Sequence, residues 1–219
     1  MGDGLDPVWI VHHGDDLLVL NKPHGLLSQP GLGPELSDSL ISRVQRQWPQ
    51  AQLVHRLDRD TSGLILVALS AERHRGLSRL FAERRIAKRY QADVHGVPAQ
   101  HDGLIELPIG KRQHRPPLYG VNPAGKPCST RWRLLECKGR CSRLELEPLT
   151  GRSHQLRVHL QAIGHPILGD PLYGPVAEQR RGVEDGRLHL HAAGLRWLDP
   201  GHGETLAFEA PIPFSLPSP

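Results

Sequence analysis

The chain has 219 residues, enough for a full domain with a real core. Hydrophobic residues make up 38% and aromatics only 5%, while Gly (23) and Pro (20) run above their usual shares; this argues for a core of Leu, Val, Ile and Ala and against a helical bundle. The formal charge of +4 favours polyanionic partners, and an odd count of three cysteines with no leader at Met1-Gly2-Asp3-Gly4 and no apolar run of membrane-spanning length argues against an exported or membrane protein, so a cytoplasmic one is expected.

Val8 to Val11 and Leu17 to Leu20 flank His13-Gly14-Asp15 and predict an opening hairpin. Asp38 is placed to cap a helix that carries Leu40, Ile41, Val44 and Trp48 on one face. A short strand ends near Val54, and Leu64 to Leu69 predicts a buried one. Ser70 then caps a helix with Leu77, Leu80 and Phe81 inward and arginines outward. Tyr90, Ala92 and Val94 alternate with polar residues, as do Leu144 and Leu146 against Arg143, Glu145 and Glu147; both patterns predict half-buried strands. Leu156, Leu160 and Ile163 repeat at helical spacing until Gly164 and Pro166 stop the helix. Leu188 to His191, Leu195 to Leu198 and Thr205 to Phe208 read as closing strands. With many strands, few helices and no regular βαβ alternation, the class is α+β with a mostly antiparallel sheet.

Two basic runs stand out: Arg73, Arg75, Arg79, Arg84, Arg85, Lys88 and Arg89, then Lys111, Arg112, His114 and Arg115. Either is a polyanion-binding face or a solvated charged surface. The 14 histidines form no metal-ligand spacing with the cysteines, and no phosphate-binding glycine loop is present, so neither a metal nor a nucleotide site is expected.

Three segments can carry chemistry. In His55-Arg56-Leu57-Asp58-Arg59-Asp60-Thr61-Ser62-Gly63 a carboxylate lies between two arginines, which favour its ionised form, and the Thr-Ser-Gly turn can aim it off a strand end. Such an Asp58 can act as nucleophile or base; alternatively the two aspartates only shape a loop. In Gly151-Arg152-Ser153-His154-Gln155-Leu156-Arg157-Val158-His159, Arg152, His154 and Gln155 enter a helix where amides point outward, either as an anion site or as plain capping. Arg157, at the edge of the buried face, needs a carboxylate partner, and Asp58 is the candidate that makes chemical sense. In Lys88-Arg89-Tyr90 the cations can hold phosphates and the ring can stack on a displaced base, or Tyr90 is an ordinary core residue.

Together these segments resemble the RluA family of pseudouridine synthases. The match runs through Asn21-Lys22-Pro23 with Gly25-Leu26-Leu27, the His55 to Gly63 segment, Gly151 to His159 followed by Gly164-His165-Pro166-Ile167-Leu168-Gly169-Asp170, and Leu190-His191-Ala192, in order over roughly residues 8 to 214. The resemblance implies the α+β pseudouridine synthase fold. That is a curved, bifurcated, mostly antiparallel mixed sheet with flanking helices and loops and a central RNA-binding cleft. It implies one catalytic domain over residues 1–219 without an N-terminal S4 module, no cofactor and no metal. Asp58 is then the catalytic aspartate, Tyr90 stacks on the target base, Arg157 pairs with Asp58, and Leu190 lines the pocket. Ser153 stands where many members carry Thr, and both present a hydroxyl. Arg56 is the first candidate to fill the space that the everted base vacates, a base whose unstacking costs a few kcal/mol.

The short form, and the stretch from Ser39 to Leu69, are most similar to the dual-specificity member of the family. The expected partners are therefore a tRNA anticodon stem-loop and a hairpin of 23S rRNA, with a monomeric enzyme. A related short synthase that acts on tRNA alone is the alternative substrate reading. From other classes, a non-catalytic RNA-binding protein of this fold predicts a lost Asp58, and a metal-free ribonuclease predicts shortened RNA.

Overall fold

The computed structural model describes residues 5–113, 117–176, 186–201 and 203–217. Met1 to Gly4, and His114 and Arg115 of the second basic run, lie outside the described residues.

After a turn at Pro7–Trp9, β1 (Ile10–His13) and β2 (Leu17–Lys22) form the expected hairpin, with Gly14 N donating to Leu17 O at 2.9 Å. The helix α1 (Leu40–Gln45) departs from expectation. Its cap is Ser39, whose hydroxyl accepts from Ser42 N; Asp38 forks onto Arg43 instead, and Trp48 falls beyond the helix. Then come β3 (Gln52–Leu53), β4 (Ser62–Ala68), buried throughout as its apolar run requires, and α2 (Ala71–Ala82). Ser70 caps α2 through Arg73 N, and Leu77 and Leu80 are buried. Arg73 corrects the expectation of outward arginines: it turns in to the fully buried Asp199 at 2.6 Å.

The chain continues with β5 (Ala87–His95), β6 (Asp102–Ile105), a hairpin of β7 (Ile109–Gln113) and β8 (Leu118–Val121), β9 (Thr130–Lys138) and β10 (Cys141–Pro148). The helix α3 (Gln155–Ala162) follows, ending before Gly164, whose φ of +85° is the left-handed turn that glycine tolerates. The closing runs Leu188 to His191 and Leu195 to Leu198 contribute to a single strand, β11 (Leu190–Leu198), before β12 (Thr205–Glu209).

Two compact units emerge: residues 1–88 with 192–211, and residues 89–191 with 212–219. In the first, β2 pairs antiparallel with β1 and β4, and β11 with β12. Leu17, Val19, Leu64, Leu66, Leu77, Leu80, Leu195 and Trp197 fill its core. In the second, β10 lies between β5 and β9, and β9 also pairs with β6, all antiparallel. Its core gathers Ala92, Val94, Leu144, Leu146, Leu156, Leu160 and Leu190. The strict in–out alternation of β10 follows from covering one face with α3 and leaving charged residues on the other. The class is α+β, as the strand-rich pattern predicts. Among the described residues no helix is long and apolar enough to cross a membrane.

Candidate active site

In the first unit Asp58 lies in a turn closed by Thr61 N donating to Asp58 O at 3.2 Å, just before β4. The segment 22–28 grips the backbone of this turn. Lys22 Nζ donates to Pro23 O (2.8 Å), Leu26 O (2.7 Å) and, across the chain, Arg59 O (2.9 Å). Gly25 N reaches the same Arg59 carbonyl at 3.0 Å, and the His24 ring nitrogen Nδ1 lies 3.2 Å from Asp60 O. Ser28 Oγ donates to Leu57 O at 2.8 Å and accepts from Leu57 N at 3.1 Å. None of these bonds uses the Asp58 carboxylate.

Lys22 is fully buried, and burial pulls its pKa from 10.5 down to about 7 while the charges of Asp60 and then Asp58 push it up. Three carbonyl acceptors match the three N–H groups of an ammonium, which offsets the burial. In the sequence Lys22 is only one residue of the Asn21-Lys22-Pro23 motif, and its place at the end of a buried apolar strand is the signal of its role. The expected arginine flanks of Asp58 are different in detail: Arg59 Nε pairs with Asp60 at 3.1 Å on an exposed surface, and Arg56 is exposed.

Behind the turn, Leu66 N donates to His55 Nε2 at 3.0 Å, so that nitrogen carries no proton. Burial, with a smaller push from Lys88, holds the His55 pKa down at about 3. Gly63, at φ +113°, takes β4 so close to β11 that a methyl group there would strike the Ala192 backbone.

The second unit holds the other expected residues. Tyr90, half-buried on β5 opposite Leu146, packs on the core cluster that contains Leu190 and Leu156. Arg157 is buried, not at the edge of the buried face. Its carboxylate partner in this unit is one that sequence reading missed: Asp170, also fully buried, takes Nε and Nη2 at 2.7 Å each. Asp170 Oδ1 further accepts from Leu172 N and Tyr173 N. The Tyr173 ring lies 5.0 Å from the Arg157 guanidinium carbon, and its hydroxyl meets His154 Nδ1 at 2.7 Å and Tyr119 N at 3.0 Å.

Gln155 requires a correction. Expected on an RNA-facing surface, it is buried, with Oε1 accepting from Thr150 and Arg152 N and Nε2 donating to Ser129 O and Thr130 Oγ1. It braces the loop before α3. Of its neighbours, Arg152 is exposed and His154 half-buried in a left-handed conformation at φ 55°. Arg89 faces Glu145 at 3.8 Å, and Lys88 is half-buried in the first unit.

The clamped Asp58 turn falls inside a region, residues 16–162, that matches the family model described as RNA pseudouridylate synthase, and the chain belongs to that family. It is an RNA pseudouridine synthase, an isomerase of uridine in RNA. Over 207 residues it is 44% identical to the dual-specificity RNA pseudouridine synthase RluA of Escherichia coli K12, covering 94% of this chain and 93% of that one. A protein of the same name in Pasteurella multocida is also 44% identical, over the same shares of the two chains. Among solved structures, human RNA pseudouridylate synthase domain containing 1 superposes with a TM-score of 0.81 at 32% identity, over 94% of this chain and 84% of that one.

Proposed function

We propose that Asp58 is the carboxylate that drives the isomerisation and that the substrates are a tRNA anticodon stem-loop and a hairpin of 23S rRNA, met in the cytoplasm by a monomeric enzyme. The reaction breaks the bond between uracil N1 and the sugar C1′, turns the base, and joins C5 to C1′; the C5 hydrogen leaves to solvent, a proton ends on N1, and the mass is unchanged. A carboxylate assists departure of the base by attack or by taking a sugar proton, and either route needs it held in one place. Tyr90 stacks on the turned base, Arg157 orients and stabilises the carboxylate's charge, and Leu190 closes the apolar side of the pocket. Arg56, Lys88, Arg89, Arg152 and His154 meet the RNA.

The observation that carries this reading is the backbone clamp on residues 57–60, built by Lys22, His24, Gly25 and Ser28. It fixes the turn from behind and leaves the acid out of the clamp, which is what a positioned reactive group requires. The substrate pair is supported by the identity to the dual-specificity relatives.

The test is tritium release from 5-tritiated uridine in the two hairpins. Wild type should release it from both and Asp58→Asn from neither, with RNA length unchanged. Release from the tRNA hairpin alone selects the tRNA-only reading. Binding without release identifies a non-catalytic RNA-binding protein, and shortened RNA a ribonuclease.

A further inference from the structure

We infer that Asp170 is a positioning residue for the reaction: it aims the Arg157 guanidinium, so that turnover depends on an acid that does not touch substrate. The inference rests on the role of Arg157 proposed above.

Asp170 grips Arg157 side-on, both carboxylate oxygens at 2.7 Å to Nε and Nη2, which fixes the plane of the guanidinium and leaves Nη1 outside the fork. The acid is itself immobilised, because Oδ1 also takes the amides of Leu172 and Tyr173 at 2.9 and 3.0 Å. The Tyr173 ring covers the guanidinium, and His154 and the Tyr119 amide hold the Tyr173 hydroxyl. Arg157 is thus restrained both in its plane and across its face. Both partners are buried, at 3% and 0% exposure. A buried ion pair is a poor device for stability alone, since well-packed apolar residues do as well or better. What the pair supplies that apolar residues cannot is an arginine with charge balanced and N–H direction set. Balanced by Asp170, Arg157 offers its target an aimed hydrogen bond more than a net charge.

Asp170→Asn tests this, because it keeps an oxygen for the two amides but sets an NH2 against the guanidinium. Turnover at saturating RNA should fall about tenfold or more, with KM within about twofold, since a small loss of aim acts on the chemical step. A purely structural role lowers the melting temperature and leaves kcat of the folded enzyme unchanged. In an Arg157→Lys background, where no fork exists, Asp170→Asn should add less than about threefold.

Should Asp170→Asn fail to fold, Asp170→Glu carries the test. It keeps the charge and shifts the fork by one methylene, so kcat should fall with KM within about twofold. A folded Asp170 variant with wild-type kcat, or one impaired only in KM, overturns the inference while Arg157→Lys remains impaired. Wild-type turnover by Arg157→Lys overturns the proposed role of Arg157 as well.

Discussion

The Lys22 ammonium and the Arg59 carbonyl, 37 residues apart in the chain, meet at 2.9 Å. That one bond ties the end of β2 to the turn that carries Asp58, Gly25 N shares the same carbonyl, and Ser28 at Leu57 and His24 at Asp60 repeat the tie on either side of it.

Removing the ammonium should therefore loosen the turn as well as the fold. Lys22→Met leaves three part-buried carbonyls short of a donor, each costing about 1–3 kcal/mol where water cannot replace it and less where water or another donor can, as at Arg59. We expect a loss of about 3 kcal/mol in urea unfolding and a fall in kcat of at least about tenfold in the fraction that stays folded. Wild-type turnover in folded Lys22→Met would show that the clamp does not position the acid.

A second prediction concerns pH. Because His55 Nε2 accepts the Leu66 amide, protonation breaks a bond, and the folded pKa of about 3 lies below the ordinary 6.5. The unfolded chain takes up a proton that the native one refuses, so the stability this ring gives is whole above pH 6.5 and is lost as pH falls toward 3. His55→Gln offers an amide oxygen to Leu66 and has nothing to titrate. Its urea midpoint should vary less with pH across that window than the wild-type midpoint; parallel curves would remove His55 from the account.

Local patterns were legible in the sequence wherever a periodicity or a cap decides the structure alone. The opening hairpin, the apolar run from Leu64 in β4, the Ser70 cap and the alternation of β10 are of this kind. Where two polar residues compete, reading failed: Asp38 and Ser39 both suit a cap, and Asp38 lost because Arg43 claims its carboxylate. Partners far apart in sequence were not legible either. Arg73 looked like one more surface arginine until Asp199, 126 residues on, drew it in. Arg157 calls for an acid by its place on a helix, but nothing local marks Asp170, 13 residues on at the end of a motif, as one that binds it. Gln155 looked surface-bound because nothing local shows that Thr150, Ser129 and Thr130 converge on it.

Gly63→Ala should be poorly tolerated. The backbone at φ +113° disfavours any side chain, and the added methyl meets the Ala192 backbone, which cannot swing aside as a long side chain would. A destabilisation of about 3 kcal/mol is expected. Since Gly63 follows Thr61 and Ser62 directly out of the Asp58 turn, kcat should fall in the same variant. A change of less than about 1 kcal/mol in urea unfolding would mean that β4 and β11 part easily there.

In the second unit the segment after Pro211 is held by Phe214, 8% exposed, which stacks on His189 at 4.5 Å and lies beneath the guanidinium groups of Arg143 and Arg187. Asp93 binds both Arg143, through two bonds, and His189. Phe214→Ala should cost about 3 kcal/mol by loss of buried ring surface, with KM for RNA unchanged in the folded protein. Raised KM would assign this segment to RNA contact.

Arg56 separates a role in catalysis from a role in folding most cleanly, because it is exposed and lies two residues before Asp58. Arg56→Gln should leave urea unfolding within about 0.5 kcal/mol of wild type, as exposed substitutions usually do. If the side chain fills the space left by the turned base, kcat/KM should fall about tenfold or more, while affinity for an RNA whose target base is already unstacked falls less. If it only meets a phosphate, binding weakens alike for every RNA and the salt dependence of log K drops by a slope of about 1. Measuring both RNAs across a salt series distinguishes the two, and a variant indistinguishable from wild type in both would remove Arg56 from the RNA-binding set.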